Sequence, residues 1–96
     1  MGHYRLSPRA QLDLDEISDK IFPDNPLRAI TFVDELVAKF EQIGDHPHGY
    51  ATRLDLPSHC RVAVHGNYRV IYKVEDKVPV ILRVFHGARN KHGIEL

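Results

Sequence analysis

Gly66-Asn67-Tyr68-Arg69-Val70-Ile71-Tyr72-Lys73-Val74, a charged turn at Glu75-Asp76-Lys77, then Val78-Pro79-Val80-Ile81-Leu82-Arg83-Val84-Phe85-His86-Gly87-Ala88-Arg89: this stretch decides the fold. Tyr68, Val70, Tyr72 and Val74 fall on one side of a period of two, and Arg69, Ile71 and Lys73 fall on the other, as in a strand. Glu75-Asp76-Lys77 is too polar and too short for anything but a tight reversal. Val78 to Phe85 is rich in β-branched residues and closes a hairpin. The unbroken apolar run Val80-Ile81-Leu82 marks this second strand as central, covered on both faces. The hairpin brings Arg69, Arg83, His86 and Arg89 into one neighbourhood.

Outward from the hairpin, Arg61 to His65 alternates, with Val62 and Val64 on one face, and Gly66-Asn67 is a strong hairpin turn. Upstream, Asp45 to His59 is punctuated by Pro47, Gly49 and Pro57 and keeps no period. Two helices precede it. Ser7-Pro8 supplies an N-cap and a first helical position that tolerates proline. Ala10, Leu14, Ile17 and Ile21 then form one apolar stripe, and Pro23 ends the helix. Asn25-Pro26 repeats the start signal for a second helix, whose stripe reads Ala29, Val33, Leu36, Phe40 and Ile43, widened by Ile30 and Val37. Gly44 stands where a C-terminal cap belongs. His3 to Leu6 is a short strand that must join the sheet, since a lone strand leaves its backbone groups unpaired. The predicted order is β-α-α-β-β-β: an α+β fold, an antiparallel sheet packed against a two-helix hairpin, in one domain over residues 1–96.

Size and composition narrow the function classes. The 96 residues, 43% hydrophobic and 27% charged, fit a single soluble globular domain. No run approaches the roughly 20 apolar residues of a membrane helix, and Met1-Gly2-His3-Tyr4-Arg5 has no apolar signal region. The single cysteine, Cys60, forms no internal disulfide and suits a reducing compartment; the expectation is a cytoplasmic protein. Cys60 itself reads as a small, half-buried strand residue. Net charge is zero but uneven: five Lys/Arg against nine Asp/Glu up to residue 50, eight against four after it. A basic C-terminal half suits an anionic partner, nucleic acid or acidic protein, or merely a basic sheet beside acidic helices. Asp13, Glu16, Asp34 and Glu35 read as solvated or structural helix residues.

His46, His48, His59, Cys60 and His65 lack a two-plus-two ligand spacing, so no metal is expected. There is no glycine-rich phosphate loop and no dinucleotide fingerprint, so no cofactor is expected either.

Four segments, in order, carry a family likeness: Tyr4-Arg5-Leu6-Ser7-Pro8 with the acidic helix Leu12-Asp13-Leu14-Asp15-Glu16-Ile17; Asn25-Pro26 with Phe32-Val33; Gly66 to Tyr72; and Ile81 to Arg89. Together they resemble the RelE/ParE superfamily of toxins from bacterial type II toxin–antitoxin modules, and its ParE branch in particular. The resemblance implies a RelE/ParE-like fold and a cognate ParD-like antitoxin in a hetero-oligomer. It further implies DNA gyrase as the target, without catalysis and without direct membrane or nucleic-acid binding. On that branch Arg83, His86 and Arg89, with the tail Asn90 to Leu96, are the expected toxicity and target contacts. Arg61, Arg69 and Tyr72 are expected to meet the antitoxin. The RelE branch implies instead a ribosome-dependent mRNA endonuclease, in which His86 is acid or base and Arg61, Arg69, Arg83 (with Arg89) hold phosphate. A neutral chain speaks against gripping ribosomal RNA. An orphan that only binds its antitoxin is the third reading. Arg83 also has a purely structural reading, as a cation paired to the acidic helices.

Overall fold

The computed structural model describes residues 2–57 and 59–88. Elements follow as β1 (Arg5–Leu6), α1 (Pro8–Ile21), α2 (Pro26–Asp45), β2 (Arg61–His65), β3 (Tyr68–Glu75) and β4 (Val78–His86), the order read from the pattern. They form one four-stranded sheet, β1-β4-β3-β2, with β4 between β1 and β3. The sheet is antiparallel through β2, β3 and β4. β1 is shorter than the pattern suggests and joins β4 in parallel, through Arg5↔Val80 and Leu6↔Ile81.

Local chemistry explains each boundary. Ser7 Oγ accepts from the Ala10 N–H at 3.0 Å and donates to the Leu82 carbonyl at 3.1 Å, so one residue caps α1 and stitches it to β4. Asn25 Oδ1 accepts from the Arg28 N–H at 3.0 Å and caps α2. Asp76 and Lys77, with φ of 49° and 68°, make the left-handed two-residue turn whose twist suits a hairpin. Gly66, at φ 57°, opens the other one.

The main core lies between the helices and the sheet: Ala10, Leu14 and Ile17 of α1, Phe32, Leu36, Phe40 and Ile43 of α2, and Val70, Tyr72, Ile81 and Val84 below them. A smaller cluster on the opposite face joins Cys60, Ile71 and Phe85, with Leu56, Val62 and Leu82 packed against it. β4 is thus covered on both faces, as its apolar run requires.

Four local expectations change. The α2 stripe contains Phe32 rather than Val33, because the Phe32 ring packs against Tyr68 (5.0 Å between centroids) and His65 (5.7 Å). Ile30 turns outward and is 57% exposed. Gly44 does not end α2, which runs on to Asp45. A Cβ at Gly44 meets the Gly2 carbonyl carbon at 2.6 Å and the His3 oxygen at 2.7 Å, so this glycine admits a crossing chain. Cys60 lies one residue before β2 and is fully buried.

Candidate functional site

The helix–sheet junction around β4 holds an acid that the sequence reads as either solvated or structural. Asp13, on α1, is 1% exposed, and so is not a solvated helix residue. Its Oδ2 accepts from Arg83 Nε at 2.8 Å and from the Val84 backbone N–H at 2.9 Å, and its Oδ1 accepts from Arg83 Nη2 at 3.3 Å. Arg9, one turn earlier, approaches within 3.4 Å. Arg83 is itself 3% exposed. Ile71 pairs with Arg83 while Tyr72 pairs with Ile81, so Leu82 is an extra residue that bulges the strand just before Arg83.

Among the described residues, β1 covers the edge of β4 only as far as Ile81. Along that edge and α1 runs a groove of about 490 Å³, lined by Asp13, Glu16, Ile17 and Lys20 on one wall and Tyr68, Val84, Phe85, His86 and Ala88 on the other. Tyr68 and His86 meet edge to face at 5.3 Å. The Ala88 N–H donates to His86 Nδ1 at 3.1 Å, which fixes the ring proton on Nε2.

The residues expected to act together are dispersed. His86 is exposed in the groove. Arg83 is next to it in the strand but lies inside, bound to Asp13, so direct contact with a macromolecular target does not fit its position and its structural reading does. Arg89 and the tail Asn90 to Leu96 lie outside the described residues. Arg69 Nη1 donates to the Tyr68 carbonyl at 3.3 Å, and its guanidinium lies over Gly87. Arg61 Nη1 donates to the Tyr50 carbonyl at 2.6 Å. Tyr72, expected at a partner surface, is fully buried; its hydroxyl donates to the Pro47 carbonyl at 2.6 Å and its ring meets Tyr50 edge-on. Arg61 and Tyr72 therefore anchor the loop after α2. Burial pushes the Tyr72 phenol up to about 12, against the opposing pull of Arg61.

Sequence reasoning missed Asp13, Lys20 and Tyr68 as members of one groove. A signal for Asp13 exists: with Ala10, Leu14 and Ile17 it falls at i, i+3, i+4 and i+7, inside the buried stripe. Among the described residues no group of His, Cys, Asp and Glu is placed to hold a metal ion. No helix among them is long and apolar enough to cross a membrane.

Known proteins share this architecture. The solved chromosomal ParDE toxin–antitoxin system of P. aeruginosa superposes with a TM-score of 0.77 at 22% identity, covering 90% of this chain and 96% of that one. The isolated RelE toxin of E. coli gives 0.63 at 18% identity, covering 96% and 90%. The RelBE2 toxin–antitoxin complex of Mycobacterium tuberculosis gives 0.60 at 23%, covering 88% and 96%. At such identities the likeness establishes the fold, a RelE/ParE-like one. Sequence goes further. Toxin ParE1 of Caulobacter vibrioides is 34% identical over 93 residues, 94% of either chain. Residues 4–91 match the family described as the ParE toxin of the type II toxin–antitoxin system, parDE. The chain thus belongs to the ParE family of type II toxin–antitoxin toxins.

Proposed function

We propose that this ParE-family chain inhibits DNA gyrase by contact rather than by catalysis. In this reading it acts in the cytoplasm and is neutralised by a ParD-like antitoxin in a hetero-oligomer. The observation that carries the non-enzymatic reading is the dispersal of the nuclease candidates. Arg83 is buried against Asp13, Arg61 and Arg69 donate to backbone carbonyls, and His86 stands exposed without them. Phosphoryl cleavage needs an acid, a base and cations converging on one phosphate, and these four side chains do not converge. The antitoxin partner is supported by the family itself and by the ParDE neighbour, whose name pairs toxin with partner.

Within this reading His86 and Arg89 remain target contacts, and Arg83 holds β4 in place beside His86. Arg61 and Arg69 remain candidate antitoxin contacts, being only half-buried. Two assays run in parallel test the proposal: gyrase supercoiling with a readout of cleaved DNA, and message cleavage on programmed ribosomes. Cleaved DNA accumulates with gyrase and the message stays intact. His86→Ala lowers the cleaved-DNA yield about tenfold while circular dichroism stays unchanged, a loss on the order of 1.4 kcal/mol of contact energy. Message cut in the ribosome with gyrase untouched overturns the proposal in favour of a RelE-type endonuclease.

A further inference from the structure

The ladder between β3 and β4 ends at Tyr68↔His86, yet the next two residues are still held, by bonds of another kind. Gly87 donates its N–H to the Asn67 carbonyl at 2.6 Å, in the turn between β2 and β3. The Arg69 guanidinium lies over Gly87. A Cβ there would come within 3.0 Å of Arg69 Cζ and 3.1 Å of the Asn67 oxygen, so the bare backbone makes room for that cation. Ala88 lies past the end of β3, and its N–H turns back to Nδ1 of the His86 ring at 3.1 Å. Asparagine makes this bond at turns, from a side-chain acceptor to the N–H two residues on; here an imidazole makes it.

The imidazole is braced for that role. It meets Tyr68 edge to face at 5.3 Å, Tyr68 meets Phe32 at 5.0 Å, and Arg28 stands 5.0 Å over Phe32. A row of rings thus runs from α2 to the last pair of the sheet. We propose that His86 is a positioning residue, a latch whose Nδ1 sets the direction in which the chain leaves β4 and lets go when the ring is protonated. Nδ1 accepts only while it carries no proton; an imidazolium has donors on both nitrogens, so the Ala88 N–H would then face another N–H. Imidazole is the side chain that ordinarily makes this change between about pH 5 and 8. The charged and titratable groups around the ring are Asp13, Glu16 and Lys20 from α1, and Tyr68 and Arg69 from β3. Asp13 is taken by Arg83, and Glu16 lies 3.9 Å from Arg9. Among the described residues no carboxylate is hydrogen-bonded to the ring, so none stands ready to replace Ala88 as its partner. Such a latch deepens the contact reading of this end of β4, on which its consequence rests, because fixing Ala88 fixes the point from which the chain continues to Arg89.

Amide and imidazole NMR of the full chain, with no target present, tests the latch. Above neutrality the His86 ring carries its proton on Nε2 alone, and on acidification the Ala88 amide moves with the ring, at the same midpoint. His86 is exposed, so conservative variants of it fold. His86→Asn, whose Oδ1 stands where Nδ1 does, keeps the Ala88 amide at its alkaline position at every pH. His86→Gln, whose oxygen lies one bond farther out, loses that position, and Ala88 amide exchange speeds up about fivefold, the worth of one hydrogen bond. An Ala88 amide indifferent to the titration of the ring, or equal loss in the Asn and Gln variants, overturns the proposal. Gyrase takes no part in these readings. The gyrase assay can therefore fail with the latch intact, and the latch can fail while cleaved DNA still accumulates.

Discussion

Two ion-pair networks tie a helix to a strand in this protein, and they differ chiefly in how much water reaches them. On one side Asp13 of α1 holds Arg83 and the Val84 N–H of β4, with side chains 1% and 4% exposed. On the other, Glu35 of α2 accepts from His65 of β2 at 2.9 Å and pairs with Arg28, with side chains 40%, 25% and 45% exposed. The chemistry is alike. In the first pair, the charges have given up hydration, so each depends on the other. In the second, water replaces whichever partner is lost. The first network also holds the edge of β4 where the groove begins, while the second lies at the opposite end of the sheet.

The sharpest break of this comparison is Asp13→Ala. It leaves a buried guanidinium without its carboxylate and the Val84 N–H without its acceptor, a loss of about 3–5 kcal/mol. That is a large share of the roughly 5–15 kcal/mol that holds a small domain folded. Urea denaturation reads it directly. Replacing both partners, Asp13→Leu with Arg83→Met, removes both charges together and recovers most of the loss. A single Asp13→Ala shift no larger than that of an exposed pair would mean water reaches Arg83.

Between the extremes lies Tyr72, a neutral group buried as deeply as Asp13. Tyr72→Phe deletes the donor to Pro47 and costs about 1–2 kcal/mol, seen in the denaturation midpoint. Its titration separates burial from charge. Desolvation raises the folded phenol from 10.0 to about 12, so the unfolded chain releases its proton first as pH rises. The Tyr72 contribution to stability is flat below pH 10.0 and is lost between there and about 12, and Tyr72→Phe removes that part of the slope. Melting temperature against pH, for both proteins, decides the matter.

How far the sequence reveals this arrangement depends on the range of the force involved. The hairpin, both N-caps and the element order follow from spacing and cap chemistry that act within a few residues. Tyr68 to Val74 alternates and Ser7-Pro8 opens a helix, whatever lies far away. The phase of α2 is less legible, because Phe32 and Val33 are both apolar and the choice falls to rings on β2 and β3. Asp13 and Arg83 are 70 residues apart in sequence, and nothing local says that they meet. Arg83 reads equally as an exposed contact and as a buried cation until Asp13 is seen against it. Gly44 misleads for a related reason: its lack of a side chain serves Gly2, at the far end of the chain.

The smallest effect belongs to Glu35, and it is the most useful control. Its hydrogen bond from Arg28, and then that from His65, hold its carboxyl below the ordinary carboxylate range. A group with a depressed folded pKa contributes stability above its unfolded value and loses it as pH falls through the folded one. Glu35→Gln therefore lowers the melting temperature slightly at neutral pH, and the difference from the parent closes in acid. It also closes in strong salt, where screening over a few ångströms weakens exposed pairs. Asp13→Ala keeps its full penalty in the same salt, because counterions do not enter a site 1% exposed. Equal salt sensitivity in the two variants would show that both networks are wet, and Arg83 would then return to the surface as a candidate contact.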